Sequence, residues 1–383
     1  MLSCVNHVLI VSASIGSGHT QAANAVKAEL ERQHPDIRVA VVDFLEGDNF
    51  SLNTFVKETY IKMIDVFPNM YDLLYRWSQA SHKGTTVRNL MSWILKKRML
   101  RLVDHYRPDL LVFTHPFPCG AACHLKRNNL LTVPLAGVIT DYAIHRLWLY
   151  DEVNFYFVAA SEMKEKLVRQ GIAAGKIHVT GIPISNSFGE VCAISGAVKP
   201  AAGPATILVM GGGLGLGAVA EVLVELDKIE GSHRFVVVAG RNAGLRKELQ
   251  LISRSLTHPV QVIGYTRRIA ELMANADLLV TKPGALTCSE ALASGLPMVL
   301  VNAIPGQEED NARYLERMGA AIWAEAQTQL NVIVQRLLAE PHLLRSMQQQ
   351  AQRMGRPDAA RQIVTKLIGK ERETGAAEKK RMR

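Results

Sequence analysis

The stretch that decides the fold runs from Asp277 to Asn311, DLLVTKPGALTCSEALASGLPMVLVNAIPGQEEDN. Leu278 to Thr281 form a short apolar run that predicts a buried strand. Lys282-Pro283-Gly284 turns the chain. Thr287 to Ala293 predict a helix, which Gly295 and Pro297 stop. Met298 to Val301 predict the next buried strand. A β-α-β unit of this kind puts its polar turns at the carboxyl edge of a parallel sheet, where open α/β sheets bind ligands. A helix starting just after Gly284 offers free N–H groups and a positive dipole end, which suit a diphosphate. Glu290, inside that helix, suits ribose hydroxyls. Gln307 and Glu308, in the loop after the second strand, suit sugar hydroxyls. A packed unit with ordinary turn glycines and solvated acids is the plainer reading of the same pattern.

Working back from that stretch, Thr206 to Met210 predict the first strand of the same series. A glycine run from Gly211 to Gly217 follows, with Gly212 and Gly213 placed to face a phosphate. The next strand, Phe235 to Ala239, ends in Gly240-Arg241-Asn242. It lacks the acidic residue that holds a ribose in dinucleotide-binding folds, which argues against a dehydrogenase. Arg241 and Asn242 suit a phosphorylated ligand instead. Val262 to Tyr265 place backbone groups where a base would lie.

The first half repeats the plan. Val8 to Ser12 predict a strand, Gly16-Ser17-Gly18-His19 a turn, and Thr20 to Gln33 a helix. Strand, glycine turn and helix make a cradle for an anion or substrate, although His19 would also serve as a simple cap. Val39 to Phe44 predict a second strand. Leu110 to Thr114 end in His115, and Val133 to Thr140 end in Asp141, with His145 and Trp148 close behind. Both strands should finish at the carboxyl edge, so His115, Asp141 and His145 are expected to share one cleft with His19. Phe155 to Ala159 and Val179 to Pro183 close this half. Val191 to Gly203, with Ser195, Gly196, Pro200 and Gly203, reads as a linker.

Phe50 to Asp104 differ in character, being aromatic and basic. Val87, Leu90, Met91, Ile94, Leu95 and Leu102 recur at helical spacing on one face. Trp93 and Leu100 lie on the other side, beside Lys96 and Lys97, and this second set resembles an interfacial surface. Arg98 departs from that pattern, since its spacing puts it on the first face. A solvated face with two incidental apolar residues is the plainer alternative.

The chain has 383 residues, 48% of them hydrophobic and 21% charged, which suits two domains with a core each. A formal net charge of +9 favours an anionic partner. Five scattered cysteines fit reduced thiols in a cytosolic setting. Cys119, Cys123 and His124 lack the second ligand pair that a metal site would need. No apolar run reaches the roughly 20 residues needed to span a bilayer, and no signal peptide is evident.

The motifs together resemble family-28 glycosyltransferases, closest to their glycolipid branch. That branch carries K-P-G-G, a threonine, a glutamate three residues on, G-x-P, and P-G-Q-E-x-x-N. Here these are Lys282-Pro283-Gly284-Ala285, Thr287, Glu290, Gly295-Leu296-Pro297, and Pro305-Gly306-Gln307-Glu308 with Asn311. Ala285 stands where the family usually has glycine. Gly16-x-Gly18-His19, the run TDYAIHRLW from Thr140 to Trp148, and Thr180-Gly181-Ile182-Pro183 match it too.

The resemblance implies an α/β fold of two doubly wound Rossmann-like domains facing a cleft, the GT-B arrangement. It implies an N-terminal acceptor- and membrane-binding domain (1–190), a linker (191–203), a UDP-sugar domain (204–355) and a C-terminal helix with a basic tail (356–383). The implied reaction moves a hexose from a UDP-sugar to diacylglycerol, or to its glycosylated product, with inversion. His19 is the implied general base, a role its ordinary pKa of about 6.5 suits, and Asp141 is the next candidate. No metal or other cofactor is expected. The expected partners are a UDP-sugar, a diacylglycerol-type lipid and an anionic membrane surface, with no nucleic acid. The expected location is peripheral, on the cytoplasmic face of the cell membrane. A muropeptide-lipid N-acetylglucosaminyl transferase, a UDP-N-acetylglucosamine epimerase and a silent nucleotide-sugar sensor are the alternatives.

Overall fold

The computed structural model describes residues 5–14, 17–46, 83–195, 204–211 and 218–369, with the backbone alone for 83–94 and 192–195. Gly212, Gly213, the side chain of Trp93 and the basic tail therefore lie outside the described residues.

Two parallel six-stranded sheets carry the fold. The first holds β1 (His7–Ser12), β2 (Arg38–Asp43), β3 (Leu110–Phe113), β4 (Leu135–Val138), β5 (Phe155–Val158) and β6 (Ile177–Val179), in the order β2-β1-β3-β4-β5-β6. Its helices are α1 (Gly18–Gln33), α2 (Lys83–Tyr106), α3 (Pro116–Arg127), α4 (Ser161–Arg169) and α5 (Ser187–Ser195). The second sheet holds β7 (Thr206–Met210), β8 (Arg234–Val238), β9 (Val260–Ile263), β10 (Leu278–Thr281), β11 (Met298–Leu300) and β12 (Ala321–Trp323), in the order β12-β11-β10-β7-β8-β9. Around it lie α6 (Val219–Leu226), α7 (Ala243–Ile252), α8 (Ile269–Asn275), α9 (Ala285–Ala293), α10 (Gln307–Arg317), α11 (Leu330–Ala339), α12 (Pro341–Met354) and α13 (Ala359–Leu367).

Helices on both faces explain why the strands are continuous apolar runs. In β1, Val8 and Ile10 pack on Ala23, Val26 and Leu30 of α1, while Leu9 and Val11 belong to the opposite core, with Cys119 and Cys123 of α3. The chain then returns to its first sheet. Ile363, Val364 and Leu367 of α13 join the core beneath α1. Gly181, in the T-G-I-P motif, makes this return possible. Its φ is +89°, and a side-chain carbon there would lie 2.5 Å from Cβ of Arg356.

Each sheet reverses its strand order once. The reversal falls between β1 and β3 in the first sheet and between β7 and β10 in the second. Open α/β sheets bind ligands at the carboxyl ends of the strands on either side of such a reversal. There the first sheet presents Gly18 and His19 with Thr114 and His115, and the second presents the turn from Lys282 to Gly284.

Three sequence expectations change. Gln307 and Glu308 are not in a loop but open α10. Glu308, Glu309 and Asp310 fill its first turn, where the positive end of a helix favours acids. Val191 to Ser195 form the end of α5 rather than linker, and Val191 packs on the second core. Leu100 is not free for an interface, because it packs against the core of the first sheet. Arg98 is held on the domain, as its spacing indicated. Its guanidinium donates to the carbonyls of Asp43 (3.4 Å) and Glu46 and lies over the Phe44 ring.

Candidate active site

The first edge is built from histidines whose rings are already bonded. His19, at the start of α1, is half-buried. Its Nδ1 lies 2.8 Å from the Thr114 carbonyl and 2.8 Å from Oγ1 of Thr140. Thr140 Oγ1 in turn donates to that same carbonyl, at 3.4 Å. A carbonyl can only accept, so the network assigns the proton to Nδ1 and leaves the Nε2 lone pair free. Burial pushes the imidazole down to about 4, against the carbonyl bond, so the ring is neutral at pH 7.

His115 stands edge-on to His19, with ring centroids 4.7 Å apart. Its Nδ1 accepts from the backbone N–H of Phe117 at 3.2 Å and so caps α3. His145 does the same for a short 3₁₀ turn, accepting from Leu147 N–H at 3.1 Å. Burial holds both imidazoles low, His145 at about 4, and His19 and His145 push His115 lower still. Both rings therefore have structural work at Nδ1.

The second edge is the reverse case. Gly284 precedes α9 with no side-chain cap, so the first N–H groups of the helix stay open. Lys282 Nζ lies 2.5 Å from Oε1 of Glu308, and Glu308 Oε2 accepts from Ile304 N–H at 3.0 Å. Glu308 thus positions Lys282 beside the turn, and both its oxygens already have a protein partner. Thr287, on the first turn of α9, is half-buried. Glu290, one turn on, is half-buried, and no side-chain hydrogen bond reaches it from the described residues. Burial alone pushes its carboxyl up to about 8. An unpartnered carboxyl in a low-dielectric wall is what a donated pair of hydroxyls would complete.

Arg241, Asn242 and Tyr265 gather at the ends of β8 and β9. The Arg241 guanidinium sits 4.6 Å over the Tyr265 ring, and Tyr265 is exposed. Arg241 holds the Tyr265 phenol below its ordinary pKa. Asn242 caps α7, accepting from Leu245 N–H at 2.9 Å. Its side chain is thus engaged with the protein.

The edges meet. A methyl group built on Gly18 would lie 3.7 Å from Cβ of Leu286, so the start of α1 faces the start of α9. Asp141 lies in this seam, half-buried. Burial raises its carboxyl to about 7, against hydrogen bonds from Gln307 and Asn311. Asn311, the last residue of the P-G-Q-E-x-x-N motif and a candidate donor ligand by the resemblance, has its amide engaged within the protein. Its Oδ1 accepts from Tyr142 N–H at 2.9 Å, and its Nδ2 donates to Pro283 O at 3.2 Å and to Asp141 Oδ1 at 3.4 Å.

Sequence reasoning missed Thr114, Thr140, Tyr142 and Ser289. Thr140 and Tyr142 flank Asp141 in a quoted motif, which was the available signal. A groove of about 410 Å³ opens beside Tyr142, Ser289 and Tyr314. Among the described residues no three histidine, cysteine, aspartate or glutamate side chains converge as metal ligands.

Two doubly wound domains meeting at their carboxyl edges, one carrying a neutral histidine and the other an open helix start, define a GT-B transferase architecture. The model for monogalactosyldiacylglycerol synthase matches residues 19–184, and that for the C-terminal domain of glycosyltransferase family 28 matches residues 206–363. A processive diacylglycerol beta-glucosyltransferase of Bacillus thuringiensis (strain Al Hakam) is 30% identical over 94% of this chain and 93% of its own. Among solved structures, MurG of Acinetobacter baumannii superposes with a TM-score of 0.61 at 18% identity, covering 94% of this chain and 99% of its own. UDP-GlcNAc 2-epimerase of Neisseria meningitidis, bound to UDP-GlcNAc, gives 0.56 at 16% identity with the same coverage. At these identities the structural likeness speaks for the fold alone. The chain belongs to the glycolipid branch of glycosyltransferase family 28 and is a UDP-sugar-dependent hexosyltransferase.

Proposed function

We propose that the enzyme transfers a hexose from a UDP-sugar to the free hydroxyl of diacylglycerol, with inversion. The observation that carries this reading is the facing of His19 and the start of α9 across one seam. The uracil lies by Tyr265, the ribose donates to Glu290, and the diphosphate rests on the N–H groups of α9 beside Lys282. Gln307 takes a hexose hydroxyl.

In the transfer, the acceptor oxygen attacks the anomeric carbon from the face opposite the diphosphate. The new C–O bond forms as the bond to phosphate breaks, and the electron pair leaves with UDP. Nε2 of His19 takes the acceptor proton. A base near pKa 4 is weak, but the incoming diphosphate brings negative charge to the seam. That charge favours the imidazolium and raises the pKa when it is needed. The open helix start and Lys282 stabilise the leaving group without reorganising.

The acceptor is an apolar lipid, so the enzyme works at a bilayer, on the face that meets cytoplasmic UDP-sugar. Among the described residues no helix is long and apolar enough to cross a membrane. Contact is therefore proposed through α2 and the anionic surface beneath it. The name of the Bacillus relative makes UDP-glucose the first donor to try. The test incubates the protein with diacylglycerol vesicles and a panel of UDP-sugars, followed by mass analysis of the lipids. A hexosyl-lipid product is expected. Conversion of the donor with no new lipid would point to an epimerase or hydrolase and overturn the proposal.

A further inference from the structure

The base and the leaving-group cradle belong to different domains, so transfer needs something to hold them in register. Three consecutive residues after β4, Thr140 to Tyr142, carry hydrogen bonds to both. At one end, Oγ1 of buried Thr140 lies 2.8 Å from Nδ1 of His19. The same nitrogen lies 2.8 Å from the Thr114 carbonyl, to which Thr140 gives its own proton at 3.4 Å. The Nδ1 proton is therefore shared between two oxygens, one at the end of β3 and one at the end of β4. A single bond would let the imidazole swing about it, and the second fixes the ring.

At the other end, Tyr142 is buried against the second domain. Ser289, on α9, gives its one proton to Ala285 O at 2.7 Å, so the Tyr142 phenol donates to Oγ of Ser289 at 2.8 Å. The ring stacks on Tyr314 of α10, with centroids 5.1 Å apart and planes 13° from parallel. The backbone N–H of Tyr142 donates to Asn311 Oδ1 at 2.9 Å, and Asn311 Nδ2 donates to Pro283 O at 3.2 Å. Pro283 lies in the turn before α9, and Ala285 is the first residue of the helix. Side chain and backbone of Tyr142 thus both reach the helix start.

We propose that Thr140 and Tyr142 are positioning residues for the transfer: Thr140 orients the His19 ring, and Tyr142 ties the same short segment to the start of α9, so that base and leaving group keep a fixed separation. This rests on the reading of His19 as the base. Lys282 and Glu290 lie wholly in the second domain, so donor binding does not depend on the tie. Rate does, because a misplacement of about 1 Å costs on the order of 10²-fold.

The test measures kcat with UDP-glucose and diacylglycerol vesicles, donor affinity by calorimetry and melting temperature, all on the full chain. Thr140→Val, which keeps the shape and removes the hydroxyl, should lower kcat by about tenfold, short of a full misplacement. Thr140→Ser should restore it. Tyr142→Phe keeps the stack and the Asn311 bond, and should lower kcat by about fivefold, roughly the value of one net hydrogen bond. Ser289→Ala removes the same bond from the other domain, so the double variant should lose no more than the worse single one. UDP-glucose affinity should hold in all of them. A wild-type kcat in folded Thr140→Val or Tyr142→Phe, even with a lowered melting temperature, would overturn the assignment. So would a donor affinity that falls with kcat. If Thr140→Val does not fold, Thr140→Ala and Thr140→Ser replace it: a loss confined to Thr140→Ala supports the assignment, and equal kcat in the two overturns it. His19→Ala separates the two readings. If it keeps a wild-type kcat, the base reading fails and takes this assignment with it. If it loses kcat while Thr140→Val and Tyr142→Phe do not, the assignment alone fails.

Discussion

The two carboxyl edges solve opposite problems. At the first, every histidine has a protein partner for Nδ1, and all three rings are held neutral. At the second, the helix start is uncapped and Glu290 has only burial around it. The first edge is complete without ligand, as a base must be to take a proton in fixed geometry. The second is left incomplete, so that an anion and a diol can finish it. The difference predicts that the first edge governs kcat and the second governs donor affinity.

The sharpest way to break this contrast is His19→Ala. Loss of a positioned base should lower kcat by about 10²- to 10⁴-fold with donor affinity nearly intact. A kcat close to wild type would make His19 a structural element and move the base to Asp141. At the other edge, Glu290→Gln should weaken donor binding by tens-fold, since hydrogen bonds to a charged group are worth about 1.5–3 kcal/mol. It should leave kcat at saturating donor within a few-fold. Calorimetry with UDP-sugar decides this, and unaltered affinity would remove Glu290 from the donor site.

The pKa shifts sharpen the same contrast. Glu290, raised to about 8, is mostly protonated at pH 7 in the empty enzyme. Only the carboxylate accepts two hydroxyls, so donor affinity should rise with pH, by up to about tenfold per unit below 8, and level off above it. Glu290→Gln should abolish the slope. Stability runs the other way for each edge. A carboxyl with a raised folded-state pKa supports the fold fully below its ordinary 4.5 and loses that support as pH rises to about 8. His19 and His145, lowered to about 4, support it above 6.5 and lose that support as pH falls to 4. Thermal melts of Glu290→Gln and His19→Gln should flatten the alkaline and acid limbs respectively.

Most of the second domain's frame was legible, because its signals are local. The run from Leu278 to Thr281, the turn at Gly284 and the stop at Gly295 each sit within a few residues of what they determine. The start of α10 was missed because P-G-Q-E-E-D reads as loop until the acids are recognised as first-turn residues. The seam was legible only as a list. Asp141 and Asn311 were each singled out, but their contact joins positions 170 residues apart, and no periodicity encodes that distance. The Asn311 amide ties the two domains together. Thr140 was passed over because a threonine ending a strand is commonplace. Only the ring of His19 above it gives it a task.

The contrast extends to the outer surface, where the first domain should meet lipid. The sequence pointed to Trp93, Lys96 and Lys97. Leu95, Met99, Leu102 and Val103 pack α2 on the first core, together with Leu100. Lys96 is half-buried, and its charge adds to the burial that lowers the His124 imidazole. The exposed cations on the described part of the helix are Lys97 and Arg101, one turn apart. A basic residue near an anionic bilayer contributes about 1 kcal/mol, and salt screens it. Replacing Lys97 and Arg101 by Ser should therefore weaken binding to phosphatidylglycerol vesicles by tens-fold at low salt, and by less at high salt. Donor affinity should stay level, because the donor ligands lie in the other domain. Co-sedimentation with and without phosphatidylglycerol, at two salt concentrations, measures the effect. Equal sedimentation of both proteins throughout would make α2 a packed element only and require the lipid to enter elsewhere along the seam.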